Sequence, residues 1–166
     1  MAFVAILMGS DSDLPLVENT LNVLKSFDIA YEVKVASAHR TPDVVATYVA
    51  DAERRGCQVF ICAAGLAAHL AGAVAARTLR PVIGIPVDGG PLNGVDALYS
   101  TVMMPGGIPV ATVAVGKAGA RNAGYLAAQI MAVADPSLFE KVKAEREQAA
   151  RAVIARDEAL AAKLAK

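Results

Sequence analysis

The chain has 166 residues, 55% of them hydrophobic and 19% charged, with a formal net charge of zero and an aromatic fraction of 5%. That length suits a single domain able to bury a core without disulfides or a structural metal, and the charged share lies below the ~25% of an ordinary soluble domain, so part of the apolar excess is expected in subunit contacts. Neutral charge and few aromatics leave neither a basic footprint nor stacking platforms, which argues against nucleic acid as a partner, and no apolar run approaches the ~18 residues of a membrane span.

Residues 3–8 form a continuous apolar run ending at Gly9. With no basic segment ahead of it, this run reads as a buried first strand, not a signal peptide. Leu14, Val17, Leu21 and Leu24 then recur at helical spacing. Tyr31, Val33 and Val35 alternate with polar residues as a second strand, and Val45, Tyr48, Val49 and Ala52 give a second helical face. Residues 58–63 read as a third strand, followed by small residues through Ala76 that suit a helix packed closely on a sheet. Residues 81–87 read as a fourth strand and 110–115 as a fifth. The Gly- and Pro-rich connection 88–109, with a short helix over 95–102, is long enough to be functional or interfacial.

Residues 117–134 read as a helix, and after Asp135-Pro136 a charged helix runs to Lys166 with Leu138, Val142, Ala149, Val153 and Leu160 as a sparse apolar stripe. Such a tail is expected to pack on its own body or on a neighbouring subunit. The alternation of strands and helices predicts an α/β fold. We read residues 1–166 as one flavodoxin-like three-layer domain with a parallel sheet of order 2-1-3-4-5, with 136–166 as a C-terminal helical extension. Cys57 and Cys62, five apart in one strand, are expected on opposite faces and unbridged, which fits a reduced cytoplasmic setting. Two Cys and two His at unrelated spacings make no metal signature.

In open parallel sheets ligands bind at the carboxyl ends of the strands, near the switch in strand order. Three polar clusters fall there: residues 9–13 after strand one, 37–42 after strand two and 65–69 after strand three. With strand one between the other two, all three border one crevice. In the first, Ser10, Ser12, Asp11 and Asp13 are ordinary capping types. Capping leaves one carboxylate unexplained, and Asp13 suits ribose hydroxyls better than a phosphate, while the helix-start amides and the serine hydroxyls can hold an anion nearby.

The second cluster sets the imidazole of His39 beside the cation of Arg40 in a loop that Pro42 ends by opening a helix. Ser37 can cap a turn, Arg40 can be a surface residue, and His39 can be a structural histidine. Arg40 at a strand end is also a standard phosphate partner. The third cluster combines Ala63, Ala64, Gly65, Ala67 and Ala68 with His69. Its small residues serve either close helix packing or close approach of a ligand. Neither a dinucleotide fingerprint, nor a P-loop, nor a Gly-x-Ser-x-Gly elbow occurs.

Taken together, residues 8–13 (MGSDSD), 37–42 (SAHRTP), 67–70 (AAHL), 81–87 (PVIGIPV), 104–110 (MPGGIPV) and Asn122-Ala123 resemble the bacterial PurE family in order and spacing over roughly residues 3–134. The resemblance implies class I chemistry, the isomerisation of N5-carboxyaminoimidazole ribonucleotide to 4-carboxyaminoimidazole ribonucleotide in purine biosynthesis. It implies no metal, nucleotide cofactor or covalent intermediate, and a homo-octamer. It further implies that His39 is the proton-shuttling acid and base, that Ser10, Asp13 and Arg40 bind the ribonucleotide with Ser12, Ser37, Ala64, Gly65 and Leu70 around it, and that His69 hydrogen-bonds near the reacting end.

The sequence departs from the commonest family pattern at Leu66, where glycine is usual, at Ala71, where proline is usual, and at Met103, where glutamine is usual. Two other readings compete. Class II members, which typically carry lysine at the position of Arg40, carboxylate aminoimidazole ribonucleotide directly with carbon dioxide. A non-catalytic flavodoxin-like nucleotide-binding module explains the fold but gives no reason for His39, Arg40 and His69 to gather at one end.

Overall fold

The computed structural model describes residues 2–165. Five parallel strands, β1 (Phe3–Met8), β2 (Tyr31–Val35), β3 (Cys57–Ala64), β4 (Val82–Pro86) and β5 (Ala111–Thr112), pair in the order β2-β1-β3-β4-β5. This is the flavodoxin-like α/β order expected from the alternation of patterns. The six residues of β1 are all buried, as both faces of a central parallel strand must be. Met8 lies beside Val35 on one side and Ala63 on the other, so the loops after β1, β2 and β3 leave the sheet at one level.

Each sheet face carries a core. Val4, Ile6 and Met8 pack with Ile61 and Ile83 under α1 (Leu14–Ser26) and α5 (Lys117–Ala132). Phe3, Ala5 and Leu7 pack with Phe60 under α2 (Pro42–Arg54) and α3 (Leu70–Ala75). The alanines of α5 let it lie close to α1. Thr20 Oγ1 donates a 2.6 Å hydrogen bond to the Ala120 carbonyl, and a Cβ on Gly124 would stand 2.8 Å from Val23 Cβ. The helix predicted inside the long connection is α4 (Val95–Val102). It settles on β4 because Gly84 has no side chain, and a methyl there would collide with Thr101 Cγ2.

Two expectations need correction. Cys57 and Cys62 share one face, both packing with Phe3 and Phe60, because the β1–β3 register slips between Phe3 and Val4 and shifts the alternation of β3 by one residue. They stay unbridged because they sit about 16 Å apart along the strand at its usual rise per residue. The fifth strand is a two-residue edge, although Val113 N–H still reaches the Gly84 carbonyl at 3.1 Å. The tail helix α6 (Pro136–Leu164) begins on its own body against α5, with Leu138 buried, and Val153, Ile154 and Leu160 of its distal half are more than half exposed. Of the predicted extension, Lys166 lies outside the described residues.

Candidate active site

After β1 the chain makes a single 3-10 turn, Asp11–Asp13, before α1. Ser10 caps that turn: its Oγ accepts from Ser12 N–H at 3.2 Å and from the Ser12 hydroxyl at 2.8 Å. Capping is therefore assigned to Ser10, and Asp13, at the cap position of α1, makes no side-chain capping bond. Burial holds the Asp13 carboxyl above the usual carboxylate range, with the backbone amide of Ser10 opposing the rise and the Asp11 charge adding to it. A half-buried carboxylate without a cation beside it suits uncharged hydroxyl donors.

After β2, Ser37 and Thr41 lock a tight loop. The Ser37 amide donates to Thr41 Oγ1 at 2.9 Å, and Ser37 Oγ accepts from Arg40 N–H at 3.2 Å, so the turn-capping function considered for Ser37 is present. Pro42 then opens α2. The loop holds His39 so that its Nε2 lies 2.7 Å from Nδ1 of His69, at the start of α3. The rings meet edge to face at 4.9 Å between centroids and 78° between planes. One N–H can sit between those two nitrogens, so the pair shares a single bridging proton and each ring keeps its other nitrogen for further contacts. Arg40 is exposed, and among the described residues its guanidinium has no carboxylate partner.

Ser10, Ser12, Asp13, Ser37, His39, Arg40, Ala64, Gly65, His69 and Leu70 all line one cleft of about 520 Å³. Three larger hollows, of about 770, 880 and 550 Å³, lie by the Arg77–Arg80 turn, between α5 and α6 near Phe139, and beside Arg121 and Tyr125, and none holds a histidine. Both histidines of the chain line the smaller cleft, which makes it the candidate for chemistry. Its far wall was missed in the sequence reading. Val87, Gly89 and Gly90, in the connection after β4, close the side opposite Ser37 to Arg40. The available signal was the Gly89-Gly90 pair just past the end of β4, the strand next to β3.

Acid–base groups gathered at the switch in strand order, with an unpaired cation on the rim, equip an α/β protein to act on a small anionic molecule. The chain belongs to the AIR carboxylase family, whose model matches residues 3–152. Among its relatives, the N5-carboxyaminoimidazole ribonucleotide mutase of Thermotoga maritima is 51% identical over 93% of this chain and 89% of its own length. The mutases of Vibrio cholerae and Bacillus subtilis are each 50% identical over 91% of this chain and 94% and 93% of theirs. The crystal structure of Treponema denticola PurE superposes with a TM-score of 0.86 at 32% identity, over 95% of this chain and 98% of that one.

Proposed function

We propose that the chain is an N5-carboxyaminoimidazole ribonucleotide mutase of purine biosynthesis, moving a carboxyl group from the exocyclic nitrogen of the ribonucleotide to its ring carbon. The observation that carries this reading is the hydrogen-bonded pair His39–His69 at the carboxyl ends of β2 and β3. The chemistry needs one proton delivered and one removed. As the carbamate C–N bond breaks, His39 gives a proton to that nitrogen, leaving an amine and carbon dioxide. The ring carbon then attacks the carbon dioxide, and neutral His39 takes the proton released from that carbon. The imidazole ends as it began. His69, bonded to it, fixes its orientation and tautomer.

The rest of the cleft supplies binding. Arg40 meets the phosphate, the standard guanidinium role. Asp13 accepts from the ribose hydroxyls, and Ser10, Ser12 and Ser37 bond the polar edge of the ligand. Ala64, Gly65 and Leu70 form the apolar side that holds carbon dioxide. The two proton transfers fall to imidazole, and no step of this scheme calls on a metal or nucleotide cofactor. The partner of the site is a small ribonucleotide, with carbon dioxide as a transient. Neutral charge and few aromatics argue against a nucleic-acid partner. None of the described helices is long and apolar enough to cross a membrane.

The chain acts as one domain with 136–166 as an extension, in a cytoplasmic homo-oligomer that we take to be an octamer. Val95, Tyr99 and Val102 support subunit contact, since they recur at helical spacing on the outer side of α4 and are 49%, 62% and 45% exposed. Class II carboxylation is the second reading. The relatives named as mutases, at about 50% identity, favour the first. The deciding experiment offers purified protein the carbamate alone, or aminoimidazole ribonucleotide with bicarbonate or carbon dioxide, in the presence of a chelator. Conversion of the carbamate is the expected result. Use of aminoimidazole ribonucleotide and carbon dioxide alone would move the protein to class II, and inertness to both would leave a binding module.

A further inference from the structure

Leu66 is out of place by the ordinary rules of stability. Its φ is 55°, in the left-handed region where a branched side chain crowds its own backbone, and its side chain is 55% exposed, so burial does not offset that crowding. The loop around it is held tightly: Ala68 N–H bonds the Leu66 carbonyl and His69 N–H the Ala67 carbonyl, each at 2.8 Å. The side chain reaches across to the loop after β4, where a Cβ on Gly90 would come 2.6 Å from Leu66 Cδ2. Gly90 has a φ of 66°, and both residues line the cleft that holds the histidine pair. Leu66 thus joins two lips of the cleft, the one before α3 and the one after β4. Local strain kept without burial in such a position points to a function at the site.

We infer that Leu66 is a retention residue: its isobutyl group closes the seam between these two loops and keeps carbon dioxide beside the amine until the ring carbon captures it. The inference rests on the mutase reading above. Carbon dioxide is small and uncharged, so hydrogen bonds hold it only weakly, and an apolar wall slows its escape and the entry of water. Between the two half-reactions the site holds an amine, carbon dioxide and one neutral imidazole. The intermediate then has two fates. Capture forms the new carbon–carbon bond and returns the proton to His39, whereas escape releases free aminoimidazole ribonucleotide. Leu66 sets the ratio between them.

The test measures that ratio, which a uniformly slower enzyme would not change. Native protein and the variants Leu66→Gly, Leu66→Ala and Leu66→Met turn over carbamate labelled with 13C in its carboxyl group, in buffer equilibrated with unlabelled carbon dioxide. Mass spectrometry reads the labelled fraction of product and the aminoimidazole ribonucleotide released, corrected for breakdown of the carbamate without enzyme. Native protein and Leu66→Met are expected to keep the label. Leu66→Gly and Leu66→Ala should raise its loss on the order of tenfold, the discrimination one apolar contact can support. Leu66→Gly is expected to melt no lower than native, because glycine accepts this φ without strain. Equal label retention in Leu66→Ala and native protein, or complete exchange already in native protein, would overturn the inference and leave the mutase reading intact. Failure of native protein to convert the carbamate at all would overturn that reading itself.

Discussion

The bond between His39 and His69 joins residues thirty positions apart, on loops that β1 separates in the sheet. If His39 carries both protons, His39→Asn removes the carrier without adding bulk or charge. Turnover is then expected to fall by at least ~10²-fold while ribonucleotide binding, read by calorimetry, stays near native. Arg40→Ala should weaken phosphorylated ligands by about 1.5–3 kcal/mol, roughly 10- to 100-fold, and leave the nucleoside unaffected. Asp13 gives a pH signature. Its pKa is raised by burial, so its contribution to stability is full below the ordinary carboxylate range and is lost as pH rises through the raised value. Ionised Asp13 is therefore a cost to the empty protein. Ribose hydroxyls favour the charged form, so affinity should rise with pH across that window. Asp13→Asn is expected to raise the neutral-pH Tm and to flatten the pH dependence of binding.

At the scale of elements, the contact between β4 and α4 depends on one missing methyl. Gly84→Ala places a Cβ against Thr101 Cγ2, and overpacking of this kind costs about 1–3 kcal/mol. A lower urea midpoint with an unchanged m-value would show it, and an unchanged midpoint would mean that α4 shifts freely. Most elements were legible because central parallel strands are apolar on both faces and the helices on them keep a 3.6-residue stripe. The prediction of α4 over 95–102 matches its bounds. The failures have local causes. A register slip at the start of β3 carries Cys57 to the other face, and parity counting along a sequence cannot register an extra residue. In β5 the apolar pattern runs on after the ladder has ended at Thr112, where Val113 packs partly against the α1–α5 core.

At the scale of the whole molecule, the outer side of α4 and the distal half of α6 are among the apolar surfaces left uncovered. A long helix whose buried hydrophobic residue is Leu138, in its first turn, has little to gain from projecting alone. If α4 forms a subunit contact, Tyr99→Glu would bury a charge there. Sedimentation velocity is then expected to show the proposed oligomer reduced to smaller species, with the circular dichroism of each subunit retained. An unchanged sedimentation coefficient would remove α4 from the interface.

The cleft divides along the same line between local pattern and assembled fold. Residues 8–13, 37–42 and 67–70 pointed to this cleft because strand ends, capping types and the individual histidines are written in local sequence. By itself the sequence determined the α/β class and marked three of the cleft walls, since these follow from patterns within short segments; the strand order was taken as the simplest arrangement of that class, and the strand pairing bears it out. Only the tertiary structure could decide that Ser10 takes the cap and leaves Asp13 free, that His39 meets His69 at hydrogen-bonding distance, and that Leu66 leans over Gly90 to complete the fourth wall. These depend on how separate loops approach in space, which is set by strand register and helix packing and by no residue's own propensity.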